Sequence, residues 1–175
     1  MSTAKEELFN ILDKYNDMVT IYYQESDRAV AILATSYLEV LLEKLLRTKL
    51  IQNPVVNRLF TSNGPLASLS ARIDICYALG LMPDYVLQDL TLIRRIRNHF
   101  AHHLNEASFQ DEAVINRCSE LSLHELFPKM GAESDIPPDA RTQFLLAVAT
   151  ASLNLTQPMH KEWIARQHEK KSDNE

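Results

Sequence analysis

The sequence LIRRIRNHFAHH at residues 92–103 decides the fold class and also carries the densest chemistry of the chain. Apolar residues recur in it at steps of three and four, at Ile93, Ile96 and Phe100, which is the period of one face of an α-helix. Arginine, asparagine and histidine occupy most of the other positions. The stretch therefore predicts a helix that buries one side and presents basic and polar groups on the other.

Segments with the same helical period lie on both sides of this stretch, and no segment alternates like a β-strand. They predict an all-α fold, a single-domain bundle of about six or seven helices over residues 1–165, followed by a polar and disordered tail over residues 166–175. In the second helix we expect a wide buried stripe that includes Val30, Leu33 and Val40. The predicted helices span about 3–22, 27–52, 83–103 and 139–157, with a helical turn at 55–60. A further helix starts at Leu66 or Ser68 and runs to residue 79, and a weaker helical segment at 111–126 is either one helix or two pieces.

Turn and cap residues separate these segments. Asp27 is placed to cap the second helix, and Asn63-Gly64 predicts a turn in which Gly64 has a positive φ. Gly80 lies where a glycine that ends a helix is expected. Pro158 is expected to kink or end the last helix, because proline lacks the N–H that the helix needs.

The composition limits the function classes. The chain has 175 residues, 46% of them hydrophobic and only 3 of them glycine, which is typical of a globular helical domain. Its net charge of −5 does not fit a protein that coats nucleic acid. We expect no signal peptide, no membrane span and a cytoplasmic location. Cys76 and Cys118 are too far apart in sequence to form a metal-ligand pair, so we expect free buried thiols. We also expect no cofactor.

One functional interpretation of residues 92–103 is metal-independent cleavage of RNA. That reaction needs a base near neutral pH and a cation that stabilises the phosphorane, which His102 and Arg97 could supply, with Asn98 orienting the phosphate. In a straight helix, side chains five residues apart diverge by about 140°. Arg97 and His102 could therefore converge only where the helix ends between them or where two protomers meet.

Two other interpretations of the stretch stay open. In the structural one, Arg97 and Asn98 cap carbonyl groups and tie helices together, while the histidines decorate a helix C-terminus, where positive charge is favoured. In the other, His99, His102 and His103 bind a metal, but no acidic or cysteine partner lies nearby in sequence. We therefore expect no metal.

Two further blocks resemble a known family. Residues 64–73, GPLASLSARI, and residues 77–81, YALGL, resemble the signature of the mannitol operon repressor (MtlR-like) family. The segments at 31–46 and 89–102 extend this resemblance. It implies an all-α negative regulator of a sugar-alcohol or similar operon that acts through a protein partner, as a homodimer, without a DNA-reading helix. Direct DNA binding is therefore not expected.

The hexapeptide RNHFAH at residues 97–102 is in turn similar to the Arg-x(4–6)-His motif of HEPN domains, which are also small all-α bundles. Many of those dimerise to form a ribonuclease site. Carried over by position, Arg97 and His102 would be the catalytic pair and Asn98 their polar neighbour. This resemblance implies the alternative function, a metal-independent endoribonuclease that acts as a toxin or defence component and binds RNA.

Overall fold

The computed structural model describes residues 3–22, 24–103, 107–132 and 139–172, and within these ranges the chain forms eight α-helices and no strand. The predicted all-α bundle is confirmed. The segment predicted at 111–126 is two short helices, because a break at residues 120–122 separates them. The helices are α1 (Thr3–Tyr22), α2 (Asp27–Lys49), α3 (Pro54–Leu59), α4 (Leu69–Ala78), α5 (Asp84–His102), α6 (Glu112–Ser119), α7 (Leu123–Lys129) and α8 (Ala140–Ser172).

The core lies between α2, α5 and the first half of α8. α8 contacts α1, α2, α5, α6 and α7, while α2 also contacts α4 and α5. Three buried phenylalanines join these elements: the ring centroid of Phe109 lies 4.9 Å from that of Phe100 on α5 and 5.3 Å from that of Phe144 on α8. Aromatic pairs at such distances add to the free energy gained from burial. The stretch at residues 92–103 is thus fixed on its apolar side.

The buried face of α2 differs from the predicted one. Leu33 and Val40 are 47% and 49% exposed, whereas Ala31, Ala34 and Leu38 are fully buried. Small alanine side chains let neighbouring helices approach closely, and α8, α5 and α4 all pack against α2. The prediction for Leu33 and Val40 was therefore wrong: the stripe of apolar residues was wide enough to allow more than one orientation of the helix.

The start of α2 also corrects the sequence interpretation. Ser26, not Asp27, is the N-cap, and its hydroxyl accepts a hydrogen bond from the Ala29 N–H at 3.2 Å. The Asp27 carboxylate instead accepts hydrogen bonds from the Phe109 N–H at 3.0 Å and from the Arg141 guanidinium at 2.6 Å. Asp27 therefore ties α2 to the segment after α5 and to α8. Such long-range partners cannot be read from local sequence.

Two glycines have different roles. Gly80 has a φ of 67°, and its N–H donates to the Tyr77 carbonyl at 2.8 Å while the Leu81 N–H donates to the Cys76 carbonyl at 3.0 Å, so the predicted helix-ending glycine is confirmed. The positive φ predicted for Gly64 is wrong. A Cβ there would clash with the carbonyl oxygens of Arg58 and Leu59. Gly64 is needed because the backbone passes close to α3.

Helix α8 continues beyond the proline that was expected to kink or end it. It runs from Ala140 through Pro158 to Ser172, so the helix does not end at Pro158. A proline inside a helix costs about 3 kcal/mol, but it removes only one hydrogen bond of the ladder. The backbone of residues 166–172, predicted as a disordered tail, is helical, and residues 173–175 lie outside the described part of the chain. The domain boundary at residue 165 stays a prediction.

Candidate functional site

The C-terminal end of α5 is held by an arginine from α2. The Arg28 guanidinium donates to the carbonyl oxygens of Phe100 at 2.6 Å and Ala101 at 3.3 Å. These carbonyls have no partner within the helix, and a cation near them also suits the helix dipole. The cap that the sequence interpretation gave to Arg97 and Asn98 is therefore made by Arg28.

His99 and His103, at the C-terminal end of α5, contact neighbouring protein groups. His99 Nε2 lies 2.8 Å from a carboxylate oxygen of Asp111, and the His99 ring stacks on His103 with 4.2 Å between centroids. The pKa of the Asp111 carboxyl group is lowered mainly by the hydrogen bond with His99 and, to a smaller extent, by the hydrogen bond from the Ser108 N–H. No group of three or more His, Cys, Asp or Glu side chains suited to a metal occurs in the described ranges.

The three residues proposed for RNA cleavage do not share one place in a single chain. Arg97 and Asn98 are both half-buried, and the Arg97 guanidinium donates to the Asn98 side-chain oxygen at 3.1 Å. Both line a pocket between α2, α4 and α5. His102 is exposed and does not line that pocket. The structure therefore brings Arg97 and Asn98 together and leaves His102 apart, and the resemblance to HEPN domains stays a prediction.

The pocket beside Arg97 is lined mainly by polar and charged side chains. Its volume is about 230 Å³. Sequence reasoning found Arg97 and Asn98 but missed the contributions of α2 and α4. The one available signal was the Ser-rich start of α4, which follows the turn at Gly64-Pro65. The lining residues are Glu39 from α2, Ala67, Ser68, Leu69 and Ser70 at the start of α4, and Arg94, Arg97 and Asn98 from α5.

A buried arginine that sequence reasoning also missed fixes one wall of this pocket. The Arg72 side chain on α4 donates to the Leu66 carbonyl at 2.8 Å, and its guanidinium lies 3.1 Å from the Glu43 carboxylate and 3.6 Å from that of Glu39. The Phe60 ring lies 5.5 Å from the same guanidinium. A buried charge needs such partners. Arg72 therefore holds the start of α4 against α2.

A buried acid near the N-terminal end of α5, Asp89, joins this helix to the start of α7. Asp89 on α5 is 1% exposed, and its carboxylate accepts hydrogen bonds from the Ser122 N–H at 2.8 Å and the Ser122 hydroxyl at 2.6 Å. Ser122 is the N-cap residue of α7. Burial raises the pKa of Asp89 to about 6, against the opposing effect of the two hydrogen bonds. This contact positions α7 and does not belong to the pocket.

The described helices include none that is both long and apolar enough to cross a membrane. Both cysteines, Cys76 and Cys118, are free and buried, as the sequence predicted. Burial raises the pKa of each thiol to about 12. Neither thiol therefore has the thiolate character that a reactive cysteine requires.

Comparison with solved structures shows which folds this one is similar to. YggD of Shigella flexneri 2a, described as a possible transcriptional regulator, superimposes with a TM-score of 0.62 at 19% identity, over 81% of this chain and 98% of that one. The MtlR–HPr complex of Escherichia coli gives a TM-score of 0.61 at 18% identity, over 82% of this chain and 98% of the matched one. At these identities the similarity establishes the fold.

Sequence comparison establishes the family. Mannitol operon repressors of Escherichia coli K12 and O6:H1 are each 32% identical over 66 residues, which is 38% of this chain and 34% of theirs. The match thus spans about a third of the length of these relatives. The family model described as Mannitol repressor matches residues 9–163, nearly the whole chain. The resemblance inferred from residues 64–81 is confirmed, and the chain belongs to the mannitol repressor (MtlR) family.

Proposed function

We propose that the protein is a cytoplasmic transcriptional regulator, a negative regulator of a sugar-alcohol or similar operon, that acts by contact with a protein partner. The observation that carries this proposal is the match of the mannitol repressor family model over residues 9–163. The matched relatives are named mannitol operon repressors. We propose the same regulatory role for this protein. Experiment must identify the operon that it regulates.

The charge and the packing favour a protein partner over DNA. The net charge is −5, whereas DNA readers rely on basic surfaces that neutralise phosphates. A recognition helix also needs one face free to enter the major groove. The arginine-rich helix α5 instead packs against α2, α4 and α8. Arg94 and Arg97 are half-buried beside this packing, so only part of the basic face of α5 is free to enter a DNA groove.

HPr is the partner we propose, because one structural relative was solved as the MtlR–HPr complex. We infer that the contact uses the α2–α3 surface, defined here as Arg47, Ile51, Pro54 and Val55. Ile51 is 75% exposed and Val55 is 50% exposed, and a pocket of about 340 Å³ lies beside them. Exposed apolar side chains next to an arginine are typical of the centre of a protein interface.

The arginine of the α2–α3 surface is already ordered in the free chain. The Arg47 guanidinium donates to the Glu43 carboxylate at 2.9 Å and to the Asn57 side-chain oxygen at 2.9 Å, and it lies 4.4 Å from the centre of the Phe60 ring. A side chain held in this way loses little conformational entropy when a partner binds. This arrangement supports the choice of surface.

Calorimetric titration of the purified chain with HPr from the same organism tests this proposal. We expect saturable binding, and we expect Ile51→Asp to weaken it at least about tenfold, because a charge would be buried without a partner. Ile115→Asp is the matched control, since Ile115 is a 44% exposed apolar residue on α6. Absence of binding, or equal losses in both variants, would contradict the proposal.

The oligomeric state is a separate proposal. We infer a homodimer, as the family resemblance implies, and sedimentation equilibrium of the purified chain tests it. A concentration-independent mass equal to the 20.0 kDa of one chain would contradict it.

A further inference from the structure

The pocket between α2, α4 and α5 contains two arginines for which the described residues provide no acid partner. Arg94 and Arg97 are three residues apart on α5, so their side chains project from neighbouring positions of one helix face. None of the ion pairs among the described residues includes either one. The guanidinium of Arg97 donates to the Asn98 side chain at 3.1 Å, which is a neutral acceptor.

The single acid of the lining does not neutralise this pair. Glu39 lies 3.6 Å from Arg72, which also pairs with Glu43 at 3.1 Å, and Glu43 in turn pairs with Arg47 at 2.9 Å. Two carboxylates thus face two guanidinium groups in that network. The positive charges of Arg94 and Arg97 remain in excess. Two like charges held on one half-buried face repel each other, and an anion between them would relieve that repulsion.

The other polar groups of the lining add hydrogen-bond donors. Asn98 uses its oxygen to accept from Arg97, which leaves its amide N–H groups as donors. Ser68 and Ser70 share a hydrogen bond between their hydroxyl oxygens at 3.2 Å, so one of the two hydroxyls keeps its proton free for a ligand. A lining rich in donors and positive charge matches a group with several negatively charged oxygens. Guanidinium groups in particular pair with phosphate oxygens in a bidentate way.

The volume restricts the size of the ligand. Sites for drug-sized molecules typically span roughly 300–1,000 Å³, whereas this pocket encloses about 230 Å³. A phosphoryl group with a short organic part fits that space. The Glu39 carboxylate, which also lies 3.6 Å from Arg72, is the acidic acceptor of the lining and suits a hydroxyl group on that organic part. A purely apolar ligand would leave the two arginines without an anionic partner.

We propose that this pocket binds the phosphoryl group of a small phosphate monoester, held by Arg94, Arg97 and Asn98. The proposal goes beyond the regulatory function and does not depend on it. Binding of such a ligand would be an input to the protein that is separate from the α2–α3 surface. It concerns a free small molecule, so it can be tested on the purified chain alone.

Calorimetric titration with glycerol 3-phosphate, inorganic phosphate and glycerol tests the inference. Wild type should bind both phosphates and not glycerol. Arg94→Gln and Arg97→Gln should each weaken phosphate binding by about tenfold or more, since each removes charged hydrogen bonds. Arg95→Gln is the matched control, because Arg95 is an exposed arginine of the same helix that does not line the pocket.

Two results would overturn the inference: neither phosphate binds at millimolar concentration, or Arg95→Gln weakens binding as much as the two pocket variants. Arg94→Lys, which keeps the positive charge, covers the case in which a glutamine variant fails to fold, and it should bind better than Arg94→Gln. Circular dichroism of every variant establishes that the comparison is made between folded proteins. Failure here would leave the proposed contact with HPr untouched.

Discussion

Replacing Asp89 by asparagine tests how the bundle holds a fully buried acid. Asp89 is 1% exposed and accepts two hydrogen bonds from Ser122, at 2.8 Å and 2.6 Å. Its pKa is raised from 3.8 to about 6, chiefly by burial. Between these two pH values the folded chain keeps a proton at Asp89 that the unfolded chain has released. The folded state therefore loses stability as the pH rises through this interval.

The size of the effect follows from the shift. The shift from 3.8 to about 6, at about 1.4 kcal/mol per pKa unit, corresponds to about 3 kcal/mol. This stability is fully present below about pH 4 and is lost above about pH 6. Asparagine cannot ionise but can still form hydrogen bonds with Ser122. The free energy of unfolding of Asp89→Asn, relative to wild type, should therefore rise by about 3 kcal/mol between those pH values.

Urea unfolding followed by circular dichroism, at pH values between about 4 and about 7, measures this difference. Asp74→Asn removes a carboxylate that is exposed on α4, so it controls for the change in net charge. Its stability relative to wild type should change little over the same range. Parallel stability profiles of wild type and Asp89→Asn, or a difference that shrinks as the pH rises, would show that burial does not raise the pKa of Asp89 in the folded chain.

Three other predictions concern the turn at Gly64, the end of α5 and the ribonuclease alternative. Gly64→Ala should destabilise the chain by about 1–3 kcal/mol, because the added Cβ would clash with the carbonyls of α3. Gly80→Ala has open space around it, so it should cost about 1–2 kcal/mol from its positive φ alone. Thermal unfolding of the two variants measures both losses. Arg28→Ala should cost about 1.5–3 kcal/mol in urea unfolding, because two carbonyls at the end of α5 lose their charged donor; little change would contradict this role. Labelled RNA incubated with the chain in EDTA should stay intact, since His102 lies apart from the pocket that holds Arg97; cleavage by wild type that His102→Ala abolishes would restore the ribonuclease alternative.

The sequence predicted correctly those features that depend on residues close together in the chain, such as the apolar period of a helix or the glycine that ends it. The apolar period at Ile93, Ile96 and Phe100 predicted the buried face of α5, and all three residues are buried. Gly80 ended α4 as expected, because a positive φ after a helix is a local requirement. The last helix was predicted to begin at residue 139, and the Asp139 carboxylate accepts a hydrogen bond from the Thr142 N–H at 2.8 Å, in the first turn of α8.

The errors arose where tertiary contacts select among local options. Leu33 and Val40 fit an apolar stripe as well as Ala31 and Ala34 do, and only the close packing of α2 against three helices selects the alanines. Asp27 was a reasonable cap, but its partner Arg141 lies on α8, far away in sequence.

The candidate site was only half predictable for the same reason. Arg97 and Asn98 were identified from one helix. Ser68, Ser70 and Glu39 join them only after α2 and α4 have packed around α5. Arg72 on α4 is buried with partners in the Leu66 carbonyl and two carboxylates of α2. The apolar period of a sequence does not predict such a contact. His102 shows the opposite case: it belongs to the same sequence motif as Arg97 and Asn98 but does not line their pocket.

Transcript abundance in living cells shows whether the protein regulates transcription through a protein contact at the α2–α3 surface. RNA sequencing would compare wild type, a deletion strain and strains that carry Ile51→Asp or the control Ile115→Asp on the chromosome. We expect deletion and Ile51→Asp to raise the same small set of transcripts and Ile115→Asp to raise none of them. Unchanged transcripts in the deletion strain, or full repression by an expressed and folded Ile51→Asp protein, would contradict it.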